Sequence, residues 1–305
     1  MIWSISSHKT FTRCNRQWFY KTVLADGRAK KNPERIEATR LSKLKTVDSW
    51  RGDIVDQILS EHLIKKIRFK EEISLDYFLS LARKIFEKQY EMETQPIIEG
   101  NKRQFGFVDI EYGKVISIEK KMQAWDDIEL ALSNIIKNEE LIQELKGAEI
   151  LYPQCIMTFS YEGTTIKAIP DLIAFYRNKP PKIFDWKVHT FGTHSNEEQL
   201  LLYALALKQC NPHKVFPKYL ENYSVHDIAL TEVQLIANVT GYSRHYKATD
   251  KKVAELSEMI SNSRLQMFGV NQDMKYDEVN ADEFETTYDP DNCLNCGFKK
   301  LCKQV

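Results

Sequence analysis

The hydrophobic period of the chain changes near residue 148. Before it, Asp53–His62, Leu75–Met92 and Ile128–Leu145 are long proline-free stretches of mixed polar and apolar residues, which predict three helices or more. Nearer the start, Phe11, Cys14, Trp18, Phe19 and Val23 recur at close to helical spacing behind Ser6-Ser7. That pattern predicts a serine-capped helix running to about Leu24, with Cys14 in its second or third turn. The segment 26–46, with Gly27, Pro33 and many lysines, reads as an exposed loop.

After residue 148 the runs shorten and become β-rich. Ile150–Phe159, Thr165–Ile169, Asp171–Tyr176 and Lys182–Lys187 read as strands, with Glu162-Gly163 as one hairpin turn and Arg177–Pro181 as another. Asn196–Gln209 is an apolar helix. Lys218–Leu220 and Val225–Leu230 are candidate edge strands, and Thr249 or Asp250 caps a last helix to about Gln266. No internal repeat or low-complexity segment interrupts this order.

Composition narrows the class. With 305 residues, 43% hydrophobic and 28% charged, the chain is long enough for a globular core and carries no signature of disorder. No apolar run reaches membrane-spanning length and the first residues lack a secretory pattern, so the expectation is a cytoplasmic protein with no membrane role. In a reducing compartment six cysteines are unsuited to a disulfide framework, and clustered ones read as metal ligands. Cys155 and Cys210 lie apart and read as buried thiols. The formal net charge is zero, yet residues 1–45 carry a net +8 and 270–305 a net −4. The basic segment is a candidate phosphate-contacting surface, its plainer reading being a solvated face.

The candidate chemistry lies in Asp171, Asp185-Trp186-Lys187 and Gln199-x3-Tyr203. Phosphodiester hydrolysis requires a divalent cation to neutralise developing charge and a group that positions the attacking water. Asp171 and Asp185 fall at corresponding places on adjacent hairpin strands and offer the oxygen ligands that Mg²⁺ or Mn²⁺ prefers. Alternation along a strand sends Asp185 and Lys187 to one face and Trp186 to the other. Gln199 and Tyr203 share a helix face where an amide and a phenol can meet a phosphate or a base. His189 and His194 follow the strand and are further candidates for substrate contact. Cys293-x2-Cys296-x5-Cys302 and Cys14 supply four thiols, a set that serves zinc or a [4Fe–4S] cluster equally well on spacing alone.

Taken in order, Ser4-x-Ser6 with Cys14 and Tyr20, Asp171, Asp185-x-Lys187, Gln199-x3-Tyr203 and the terminal cysteines resemble the PD-(D/E)xK nuclease superfamily. Within it, they resemble the RecB-like branch with an iron–sulfur cluster, which includes the AddB nuclease domain and the fourth CRISPR-associated protein family. The resemblance implies an α/β fold of the restriction-endonuclease-like type, a mixed central sheet flanked by helices. It also implies one nuclease domain over 1–305: an N-terminal helix and basic loop (1–52), a helical insertion (53–148), a catalytic core (149–247) and a C-terminal helix with a cysteine clasp joining the chain ends (248–305). Asp171, Asp185 and the backbone carbonyl of Trp186 would bind Mg²⁺ or Mn²⁺, Lys187 would be catalytic, Gln199 and Tyr203 would position DNA, and the four cysteines would hold [4Fe–4S].

Departures from the family pattern stand beside it. Where Gly-x3-His normally supplies a histidine ligand, Gly52-x3-Asp56 offers an aspartate, itself a competent hard-metal ligand. Ala168 replaces a common glycine, and Asn15 a common proline after the cysteine. The implied activity is cleavage of single-stranded DNA or DNA ends, in repair, CRISPR adaptation or antiphage defence. The absence of a helicase motif leaves a role for partners such as a helicase or defence-system subunits. The rival readings are a catalytically silent DNA-binding scaffold and a zinc-clasped RNA-processing nuclease.

Overall fold

The computed structural model describes residues 2–25, 31–93, 105–189, 196–237, 242–269 and 280–302. Its ten strands among these residues are β1 (Ile2–Trp3), β2 (Leu44–Lys45), β3 (Gly106–Phe107), β4 (Ile150–Pro153), β5 (Met157–Tyr161), β6 (Thr164–Ala168), β7 (Leu172–Tyr176), β8 (Lys179–Lys187), β9 (Ala229–Gln234) and β10 (Ser243–Tyr246). The chain divides into two compact units. One comprises Met1–Trp3, Arg51–Phe86 and Met122–Ser261, the other Ser4–Trp50, Glu87–Lys121 and Asn262–Val305.

The first unit holds a five-stranded mixed sheet in the order β10-β9-β8-β7-β4 and a three-stranded sheet β1-β6-β5. β8 pairs antiparallel with β7 and parallel with β9, so it lies inside the larger sheet. Every residue of β7, Leu-Ile-Ala-Phe-Tyr, is buried, as a strand covered on both faces requires. Pro180 and Pro181 cannot both serve a regular ladder because they have no N–H. The register slips between Ala174 and Tyr176, opposite them, and the bulge accommodates both. Glu162 and Gly163 have φ of 45° and 76°, the left-handed pair that a tight β5–β6 hairpin demands. Helix Glu197–Gln209 is buried along nearly its whole length, including Leu200–Leu207, and packs on β5, β6, β8 and β9. An all-round apolar helix belongs in such a place.

In the second unit the N-terminal helices pack on the tail. Phe19 stacks on Phe284 with centroids 4.6 Å apart, and Tyr20 on Phe298 at 5.8 Å. Arg16 Nε donates to the Phe284 carbonyl at 3.0 Å and Tyr20 Oη to that of Leu301 at 2.9 Å. Trp18 is fully buried, its indole N–H satisfied by Ser7 Oγ at 2.9 Å.

Several expected elements differ. The first helix runs only over Ile5–Arg13 and is capped by Ser4, not by Ser6-Ser7. Cys14 adopts extended backbone, ends that helix and caps Asn15–Trp18 through its sulfur, so it lies at a break and not within a turn. The segment read as a loop contains helix Pro33–Leu41, since Asn32 at the N-cap and Pro33 at the first position form a start signal. Asn138 divides Ile128–Leu145 by accepting the Leu141 N–H at 3.1 Å. Lys218–Asn222 and Val225–Asp227 are 3₁₀ turns, and the strand that follows, β9, is interior instead of an edge. No helix among the described residues is long and apolar enough to cross a membrane.

Candidate active site

Asp171 immediately precedes β7, and the pairing of Leu172 with Phe184 places it opposite Asp185. Asp185 is 1% exposed. Its Oδ2 lies 2.5 Å from Lys187 Nζ, and its Oδ1 accepts from Gln199 Nε2 at 3.0 Å. Gln199 Nε2 also reaches Tyr203 Oη at 2.6 Å. The alternation expected of this strand holds: the Trp186 ring stacks with Phe184, its neighbour two residues before, at 5.5 Å. The Trp186 N–H donates to Asp171 Oδ2 at 2.7 Å.

Asp56 joins these residues from the end of helix Val47–Gln57, just before the π-helical stretch Ile58–Leu63. Gln154 joins it to Asp171: Nε2 lies 3.0 and 3.1 Å from the Asp56 carboxylate oxygens and 3.5 Å from Asp171 Oδ1. Sequence reasoning missed Gln154. Its signal is conformational, a non-glycine residue at φ 50° whose N–H donates to the Asp171 carbonyl at 3.1 Å. Arg51, also missed, pairs with Asp127 and donates to the Val188 carbonyl at 2.9 Å, pinning the backbone directly after Lys187.

The electrostatics are those of crowded carboxylates. Burial, then Asp53 and Asp185, push Asp56 up to about 6, against the Gln154 hydrogen bond. Burial, then Asp185 and Asp56, raise Asp171 well above the carboxylate range. For Lys187 burial opposes the charge, but Asp185, Asp171 and Glu232 outweigh it and its pKa rises. Burial, then Asp185 and Asp171, keep the Tyr203 phenol protonated far into alkali. One ammonium thus balances three carboxylates incompletely, and the all-oxygen donor set suits a hard divalent cation. Among the described residues, no group of three or more His, Cys, Asp or Glu stands arranged to hold a metal ion.

The family model for the PD-(D/E)XK nuclease superfamily matches residues 2–303. The chain belongs to this superfamily. Its members generally use divalent metals such as Mg²⁺, and the mixed sheets flanked by helices agree with the superfamily fold. No curated protein matches the chain. A candidate exonuclease from Eubacterium rectale is similar in structure at 13% identity, with 93% of this chain and 83% of that one covered and a TM-score of 0.47. SSO0001 is similar at 13% identity, with 73% and 96% covered and a TM-score of 0.32.

For this nuclease the crowded carboxylates predict a pH effect on the metal-free fold. A carboxyl whose folded pKa exceeds its ordinary value stabilises the fold at low pH, and that contribution disappears as pH rises through the folded pKa. Asp56, raised from 3.8 to about 6, is therefore least favourable above pH 6. In EDTA the wild type is expected to lose about 1–3 kcal/mol of stability between pH 4.5 and 7.5 from this group. Asp56→Asn should flatten the change, as read by thermal unfolding at both pH values. An unchanged slope would refute the assignment.

Cys14, Cys293, Cys296 and Cys302 line one small cavity in the second unit, with Gln17, Asn292 and Lys299 around it. Burial, then Cys14, Cys302 and Cys293, push Cys296 up to about 11, and burial likewise raises Cys302. Four thiols are the donor type of a soft metal or cluster, whose binding would have to displace their protons, but among the described residues they do not stand arranged around an ion. Cys155 and Cys210 are buried elsewhere, as expected. His189 lies two residues past the end of β8, while His194 lies outside the described residues.

Proposed function

We propose that the protein is a Mg²⁺- or Mn²⁺-dependent deoxyribonuclease of the RecB-like branch, acting on single strands or DNA ends. The observation that carries this reading is the convergence of Asp56, Asp171, Asp185 and Lys187, from three separate chain segments, on one buried cluster. Asp56, Asp171, Asp185 and the Trp186 carbonyl would hold the cation, which when bound supplies charge neutralisation at the phosphate and a more acidic water. The Lys187 ammonium, fixed on the Asp185 side of the strand, orients the attacking water and donates to the phosphate oxygens as charge develops. Gln199 and Tyr203 act one step back. With the Gln199 amide bound to Asp185 Oδ1 and Tyr203 Oη, they fix the carboxylate, and DNA is positioned through it.

In the same proposal the cysteines hold a [4Fe–4S] cluster, with Zn²⁺ as the alternative occupant, and clasp the N-terminal helices to the tail. The nuclease works as one domain over 1–305 in the cytoplasm, with 53–148 as its helical insertion. DNA is the partner substrate, and a helicase or a defence-system subunit supplies the strands. End-labelled single- and double-stranded DNA and the matching RNA, incubated with anaerobically purified protein in Mg²⁺, Mn²⁺ or EDTA, test the reading. Metal-dependent cleavage of single-stranded DNA is expected. Binding without cleavage in either metal would favour a silent scaffold, and cleavage of RNA alone a processing nuclease.

A further inference from the structure

Beside the catalytic strand lies a second polar pair that the reaction as described does not use. β9 runs parallel to β8 with Glu232 in register with Asp185 and Gln234 in register with Lys187, so both pairs project from the same face of the sheet. Glu232 is 0% exposed. Its Oε2 accepts from Asn196 Nδ2 at 2.9 Å and Tyr246 Oη at 3.4 Å, and its Oε1 from Gln234 Nε2 at 2.5 Å. All three donors are neutral. A carboxylate removed from water costs several kcal/mol unless a positive charge offsets it, and two cations respond to Glu232: Arg244, in register with it on β10, and Lys187 on the side of the candidate site. Gln234 Oε1 is buried with no hydrogen-bond partner among the described residues, leaving an acceptor on the residue paired with Lys187.

Asp185 Oδ2 faces two claims, since the Lys187 ammonium rests on it and the proposed cation would require it. Both are met when the ammonium has another acceptor set within reach. We propose that Glu232, supported by Asn196, Gln234 and Tyr246, is a positioning residue that holds Lys187 on the β9 side and so frees Asp185 for the divalent cation. The inference rests on the metal-dependent reading above and adds a residue to it.

The test is Mn²⁺ binding by titration calorimetry, which requires no turnover, on the full chain in four forms: wild type, Glu232→Gln, Lys187→Met and the double variant. Without Glu232 the ammonium stays on Asp185 and competes, so Glu232→Gln should weaken Mn²⁺ binding about tenfold in the wild-type background. With Met at 187 there is no competitor, and the same change should cost less than about twofold. Equal losses in both backgrounds would reduce Glu232 to a through-space charge and overturn the proposal, as would no loss in the wild type. A wild type that binds Mn²⁺ yet never cuts would count against the nuclease reading alone, whereas one that never binds it would sink both. Should Glu232→Gln not fold by circular dichroism, Asn196→Ala loosens the same carboxylate while keeping its charge. It is expected to show the same dependence on Lys187 at smaller size, and background-independent losses there would again overturn the proposal.

Discussion

Lys187→Ala is expected to lower DNA cleavage by at least about a thousandfold while leaving DNA binding in EDTA within about twofold of the wild type. The side chain supplies the lone ammonium among Asp171, Asp185 and Asp56 in the described site, and it lies 2.5 Å from Asp185 Oδ2. Its loss removes the group that orients the water and compensates phosphate charge in a buried setting, where such a group acts most strongly. The variant leaves the buried Asp185 carboxylate without its counter-charge, so its folding is checked by circular dichroism before rates are compared. Single-turnover rates with Mg²⁺ and Mn²⁺ would measure the effect. A loss under tenfold would remove Lys187 from the chemistry and direct attention to Gln154, whose amide contacts both Asp56 and Asp171.

The second large effect concerns the thiol cavity. With the proposed cluster or zinc in the thiol cavity, Cys296→Ser should abolish its binding and lower the unfolding midpoint by roughly 10 °C, since a tightly held group stabilises a fold by about 3 kcal/mol or more. A brown protein with a broad visible absorption band that the variant lacks identifies iron–sulfur; a colourless protein with one equivalent of zinc identifies the alternative. The midpoint should fall in the same way for Cys14→Ser, although Cys14 lies 282 positions from Cys296 in the chain, because both thiols line one cavity. Equal midpoints for wild type and both variants would leave the aromatic contacts, such as Phe19 on Phe284, as the whole of the clasp.

The core of the candidate site was legible because its logic is local. Strand alternation alone sends Asp185 and Lys187 to one face, and a hairpin alone brings Asp171 opposite Asp185. Gln199 and Tyr203 were legible as a pair for the same reason, one helical turn apart, but not their target: the amide and phenol turn toward Asp185 inside the fold. Gln154 was illegible. Its contact with Asp56 spans 98 residues and depends on a left-handed backbone that no pattern at Pro153-Gln154-Cys155 announces. Glu232 was equally hidden, because Ala229–Gln234 reads as an ordinary short strand until its position next to β8 is known.

Periodicity, capping and residue chemistry were enough to establish a helical first half, a β-rich second half, a carboxylate–lysine strand and four thiols near the two chain ends. These follow from the sequence because each depends on neighbours within a few residues, where steric preference and the alternation of side chains dominate. Tertiary packing decided which strand became interior, where Cys14 broke its helix, and which neutral amides reached the carboxylates. Those outcomes turn on burial of segments far apart in the chain: β9 enters the sheet beside β8 because that position covers its Leu230–Gln234 side chains, an advantage of the assembled sheet that its own six residues do not encode.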